Sequence, residues 1–188
     1  MTSHIIPTLV TKRLILRGPR LSDLAAYKAF NNVSDVKVGN YRGGRPEPEL
    51  SERLGQDIAH WTVKGFGMWI MCLKDQDVVL GGAGLCYPNN WPSHELTWWL
   101  MPDARGQGFA TEASQAVIDW AYDIKGWPVV ETHMRDENQP ARRLAVRLGG
   151  KITRRDTFPD GVKRDVFALP RRRMDCKDNT CVIAGKPI

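Results

Sequence analysis

Between residues 94 and 124 the spacing of apolar residues changes once, and that change fixes a local architecture. In "HELTWWL" (94–100) the alternation predicts a strand, with Glu95, Thr97 and Trp99 on one face. After "MPDARGQG" the apolar positions Phe109, Ala113, Ala116, Val117, Trp120, Ala121 and Ile124 recur at helical spacing. Gly126 and Pro128 end that helix. A strand, a glycine turn and a long one-sided helix require a sheet for the helix to cover, so the chain belongs to the α/β class.

The remaining sequence extends this pattern. "KRLILRGP" (12–19) alternates as a strand, and "SDLAAYKAFNN" (22–32) reads as a helix with Ser22 as N-cap. Prolines and glycines make 40–49 a loop; Leu50, Leu54, Ile58 and Trp61 then mark a helix stopped by Gly65. Strands are expected over 67–74 and 78–87, the second with glycines that signal a bulge or close backbone approach. A loop follows over 87–93. Beyond the long helix, 129–135 reads as a strand, and Asn138 caps a short helix with Ala141, Leu144, Ala145 and Leu148 inside. "PDG" then joins strands 151–158 and 163–170 as a hairpin. No internal repeat or interdomain linker interrupts the order β-α-α-β-β-β-α-β-α-β-β, which predicts one domain over 1–170 with a mixed sheet and helices on both faces.

Composition removes several function classes. No run approaches the ~18 apolar residues of a membrane span, and the start, broken by Pro7 without a basic lead, does not read as a secretory signal. Cys72, Cys86, Cys176 and Cys181 show neither Cys-x-x-Cys nor zinc spacing, so no metal is expected and the thiols read as reduced, cytoplasmic ones. Half of the net charge of +6 sits in residues 171–188, where Arg171, Arg172, Arg173, Lys177 and Lys186 face Asp175 and Asp178. The body is therefore only mildly basic, which fits one anionic ligand better than a nucleic-acid surface. The tail shows no apolar period and is expected to lie outside the domain.

The glycine stretch "PDARGQGFATEA" (102–113) enters a helix N-terminus, where orphan N–H groups and a partial positive charge suit a phosphate. Gly106 and Gly108 allow close approach, and Arg105 adds a fixed charge. It is not a Walker loop, since no Lys follows the glycines, nor a dinucleotide fingerprint, since Thr111 stands at the third glycine position. What remains is Arg-x-x-Gly-x-Ala with Arg105, Gly108 and Ala110; a plain flexible entry to a helix has the same composition.

The run "HELTWWLMPDARGQGFATEASQAVIDWAYD" resembles the acetyl-coenzyme-A loop of the GNAT N-acetyltransferases, most closely the branch with the ribosomal-protein N-terminal acetyltransferases. "DENQPARRLAVRLGG" and "TKRLILRGPRLSDL" resemble further segments of that branch, so the likeness covers about residues 10 to 170. It implies the GNAT fold: a mixed, mostly antiparallel sheet of about six to seven strands with helices on both faces. It also implies acetyl-CoA as acetyl donor, with Leu100 and Met101 offering backbone groups to the pantetheine arm. By the same resemblance Arg105, Gly106, Gln107, Gly108, Phe109 and Ala110 hold the pyrophosphate. Asn138 bonds the pantetheine, a role compatible with capping its helix. The sequence departs from the family at Ala141, where a serine is usual, at Gly150, where a phenylalanine is usual, and at Ala145, where many other acetyltransferases carry a tyrosine.

The expected reaction is direct acetyl transfer in a ternary complex to a primary amine. The acceptor is foremost a protein N-terminal α-amine, with a polyamine, aminoglycoside or amino acid as the small-molecule alternative and a silent CoA-binding module as the non-enzymatic one. Such an amine must lose a proton to attack a thioester. Glu95, placed where the family often carries an acidic residue, is the first candidate base and His133 the second, although strand residues of both kinds are commonly structural. Arg42 and Arg45 lie in the loop where the family builds its acceptor site, and Trp91 in its Pro/Asn loop is expected to line the substrate mouth. A monomer or a homodimer is compatible with the sequence.

Overall fold

The computed structural model describes residues 5–34, 41–88, 90–172 and the strand at 182–184. The elements are β1 (Thr8–Val10), β2 (Leu14–Arg17), α1 (Leu24–Val33), α2 (Glu47–Lys64), β3 (Met68–Leu73), β4 (Val79–Cys86) and β5 (Glu95–Leu100). There follow α3 (Phe109–Asp123), β6 (Val130–His133), α4 (Gln139–Arg147), β7 (Lys151–Thr157), β8 (Lys163–Leu169) and β9 (Val182–Ala184). They form two sheets, β5-β4-β3-β2-β1-β9 and β6-β8-β7. Among the described residues every backbone ladder is antiparallel. β5 and β6 lie side by side at the seam between the sheets, tied by the Thr132 hydroxyl, which donates to the Leu96 carbonyl at 2.8 Å.

Helices cover both faces, as the element order predicts. In β3 the alternation sends Met68, Ile70 and Cys72 towards Tyr27 and Phe30 of α1 and Leu54 of α2, while Trp69 and Met71 join the cluster under α3 and α4. Trp61, Trp69 and Trp120 meet there edge to face, with centroids 4.5–5.8 Å apart. In β4, Gly82 makes room for an indole, since a Cβ there would stand 2.5 Å from Trp99 Nε1, while Gly84 lets the strand approach the backbone at Gly67. The expected irregularity is present as a register shift between Met71 and Cys72.

Four local expectations change. β1 adds a strand to the predicted order, and β9 pairs with it, so part of the 171–188 tail joins the sheet. Ser22 is not a cap; residues 21–23 form a 3-10 turn, and the Asp23 carboxylate accepts from the Arg20 N–H and the Arg17 guanidinium. The helix α2 begins at Glu47 rather than Leu50, because proline is tolerated in a first turn, where its missing N–H costs nothing. The expected single mixed sheet comes as two. Among the described residues no helix is long and apolar enough to cross a membrane.

Candidate active site

The glycine loop is held from a distance. Gly106 and Gly108 have φ of 75° and 82°, the left-handed region where a side chain is strained, and Gly108 is the N-cap of α3. Thr11 and Arg13, in the turn between β1 and β2, clamp the start of that helix. Glu112 accepts from the Thr11 hydroxyl at 2.6 Å, from the Arg13 backbone N–H at 2.8 Å and from Arg13 Nε at 2.7 Å. The same guanidinium donates to the Gln107 carbonyl at 2.9 Å and lies over the Phe109 ring. Burial would raise the Glu112 pKa, but these donors hold it below the ordinary carboxylate value.

A groove of ≈ 560 Å³ runs beside this loop, between the end of β5 and α4. Leu100, Arg105, Gly106, Gly108, Phe109, Ala110 and Asn138 line it, as do Arg143 and Arg147. Asn138 also caps α4, its side chain accepting from the Ala141 N–H at 3.2 Å. Met101 and Gln107 do not line the groove. The Met101 N–H donates to Leu80 and its carbonyl accepts from Ala104, so its backbone is spent inside the protein; the Gln107 side chain donates to Asp103. The backbone beside the groove belongs instead to alternate residues of β5. Met101 pairs with Leu80 and Leu96 with Thr132, so Leu96, Trp98 and Leu100 turn their peptide groups towards the seam. The Leu100 carbonyl takes Arg105 Nε at 3.2 Å.

A second cleft, ≈ 410 Å³, opens on the other side of Trp98 and gathers Glu95, His133, Trp91, Arg42 and Arg45. Glu95 and His133 come from neighbouring strands, and both side chains are buried, at 4 % and 5 % exposure. His133 Nε2 stands 2.6 Å from Glu95 Oε2, but off the direction of a hydrogen bond, so the contact is a close approach rather than an aligned one. Trp91 is half-buried and stacks on the His133 ring at 5.0 Å. Asn31 of α1 clips the loop before α2: its amide accepts from the Arg45 N–H at 2.8 Å and donates to the Arg45 carbonyl at 3.1 Å. Tyr41, Trp98, Asn138 and Ala141 line both spaces, so the two adjoin.

The structure adds residues that sequence reasoning did not single out. Tyr41 is tied through its hydroxyl to buried Asp57, 2.9 Å away, which also takes the Tyr27 hydroxyl at 2.6 Å. Desolvation raises the Asp57 pKa, although Arg53 and both hydroxyls oppose the shift. Asp160 and Arg164 of the β7–β8 hairpin complete the second cleft. Among the described residues no cluster of His, Cys, Asp and Glu could hold a metal.

Comparison with known proteins agrees with this architecture. The chain is 25 % identical to the uncharacterized N-acetyltransferase YnaD of Bacillus subtilis over 145 residues, which is 75 % of this chain and 81 % of that one. A crystal structure of an acetyltransferase from Agrobacterium tumefaciens superposes with a TM-score of 0.80 at 27 % identity, covering 88 % of this chain and 95 % of that one. The fold is shared with RimL, a ribosomal-protein α-N-acetyltransferase solved with coenzyme A, at a TM-score of 0.68 and 16 % identity over 86 % and 96 % of the two chains. The family model described as the acetyltransferase (GNAT) domain matches residues 13–151. Since that match runs from the clamp residue Arg13 to the first residue of β7, the chain belongs to the GNAT acetyltransferase family.

Proposed function

We propose that this acetyltransferase moves the acetyl group of acetyl-CoA directly onto a primary amine, foremost the α-amine of a protein N-terminus, within one ternary complex. The observation that carries the proposal is the shared wall: a phosphate-competent loop opens on one side of Trp98 and Ala141, and a buried carboxylate–imidazole pair on the other. The groove fits the donor. Gly106 leaves open space where a Cβ would be, α3 presents its N-terminal amides, and Arg105, Arg143 and Arg147 supply charge. RimL has been solved with coenzyme A and the acetyltransferase MccE with acetyl-CoA and AMP, which supports a CoA-type ligand here.

The donor supplies an activated acyl carbon. The amine nitrogen forms the new bond to that carbon, the carbon–sulfur bond breaks, and the sulfur leaves with the electron pair. The proton given up by the amine goes to Glu95, with His133 beside it. A thiol with a pKa of about 8.5 leaves without strong acid help, which accords with Ala141 and Ala145 where related enzymes carry hydroxyls. Leu100 and Asn138 hold the pantetheine arm; Arg42, Arg45 and Trp91 face the acceptor. We read the enzyme as a cytoplasmic one, a reading that the free, buried thiols of Cys72 and Cys86 support. The test is transfer from acetyl-CoA to a panel of peptides and small amines, read by mass as the acetylated product. Product on peptide N-termini is expected; product on small amines alone reassigns the acceptor, and binding of CoA without any product leaves a silent module.

A further inference from the structure

The second cleft holds more positive charge than proton transfer uses. Four guanidiniums line it, those of Arg42, Arg45, Arg135 and Arg164, against the carboxylates of Glu95 and Asp160. Glu95 faces His133, and Arg45 is engaged with Glu49 at 3.1 Å. Asp160 is divided between two cations: one of its oxygens takes Arg135 Nη2 at 2.8 Å and also Arg164 Nη2. The Asp160 pKa is held low by the Val162 N–H and these guanidiniums, despite desolvation, so its charge is already committed.

Arg164 is the unusual member. Its side chain is only 6 % exposed, and it lies over the Trp91 and Phe158 rings at 5.3 and 4.6 Å. Its Nη1 is buried with no hydrogen-bond partner among the described residues. A buried guanidinium nitrogen without an acceptor is costly, and proteins retain one where something else brings the acceptor. Nearby, Glu95 supplies the negative element an ammonium group approaches. The cleft therefore offers a carboxylate for one end of an acceptor and an incompletely neutralised guanidinium cluster for the other.

We infer that the preferred acceptor carries an anionic group, a carboxylate or phosphate, close to the amine, and that Arg164 with Arg135 and Arg42 forms the subsite for it. This rests on reading the second cleft as the acceptor site. Two sources present the same chemistry: a peptide N-terminus with an acidic side chain in its first residues, and a free amino acid or aminoalkyl phosphate. A bidentate, charge-assisted contact to arginine discriminates strongly against a neutral isostere.

The experiment compares isosteric pairs. Peptides starting with Asp or Glu are set against the same peptides with Asn or Gln, and free amino acids against their carboxamides. The anionic member is expected to have a kcat/KM about tenfold or more higher, in a ratio that shrinks with added salt. Whichever pair gives the larger ratio identifies the source. Arg164→Met and Arg42→Ala should each pull the ratio towards one; should Arg164→Met fail to fold, the exposed Arg42→Ala variant and the isostere pairs still decide. Equal or better rates on the neutral members overturn the inference while leaving acetyl transfer intact. If no amine is acetylated at all, calorimetry of the same pairs on CoA-loaded protein reads the subsite separately, and equal affinities for acid and amide overturn it.

Discussion

In the proposed transfer, Glu95 takes the proton of the amine with His133 2.6 Å away. An acceptor amine with a pKa near 10, or near 8 for an α-amine, is largely protonated at pH 7, and general-base help is worth about 10²–10⁴ in rate. Glu95→Gln keeps the shape and removes the basicity, so kcat at pH 7 is expected to fall at least about thirtyfold. The loss should shrink as pH rises and more amine is already neutral, and His133→Gln combined with it should cost less than the two single losses multiplied. Steady-state kinetics over pH check this; a Glu95→Gln enzyme with near-normal kcat at pH 7 makes Glu95 a strand residue only. Glu112 carries a different expectation. Its folded pKa is lowered, so its contribution to stability is full above the ordinary carboxylate pKa of about 4.3 and is lost as pH falls through the lower folded value. The Tm difference between wild type and Glu112→Gln should thus be widest near neutrality and close below about pH 4. A gap that does not vary with pH refutes the charged clamp.

At the scale of elements, the unit from β5 to α3 was legible because its apolar spacing is long and regular, and Asn138 and Gly65 behave as the caps their residue types predict. The clamp on that unit was not legible. Thr11 lies 101 positions from Glu112, and nothing local in either segment announces the partner. The same holds for Arg164, whose significance comes from Asp160, Trp91 and Phe158 meeting around it. Short elements failed for another reason: the three residues of β1 are too few to display a period, and the prolines at 46 and 48 read as loop although they open α2. The loop itself can be tested at Gly108. With φ of 82° and Arg13 Nη2 3.4 Å from the position of a Cβ, Gly108→Val adds strain and bulk where the backbone should meet the pyrophosphate. Affinity for CoA measured by calorimetry is expected to drop at least tenfold, about 1.4 kcal/mol, with the fold retained. Unchanged affinity in a folded variant removes the loop from the donor site.

Across the whole molecule, the sequence order was enough to predict an α/β domain with helices on both faces, but not where its sheet would divide. The division depends on which strand edges meet, and hairpin signals specify only neighbours in sequence. β5 and β6 are joined by α3 rather than by a turn, and they meet without a ladder. That seam has a signature in time as well as in space. Amides locked between β3 and β4 must wait for large openings before they exchange hydrogen with solvent, whereas those of β5 that face away from β4 have no ladder partner to break. Trp98 and Leu100 are therefore expected to exchange their amide hydrogens orders of magnitude faster than Trp99 between them. Saturating CoA should slow Trp98 and Leu100 while leaving Trp99 unchanged, so residue-resolved hydrogen–deuterium exchange would show protection alternating along a single strand. A uniform response along β5 would mean that the seam is closed without ligand and that the donor does not use it.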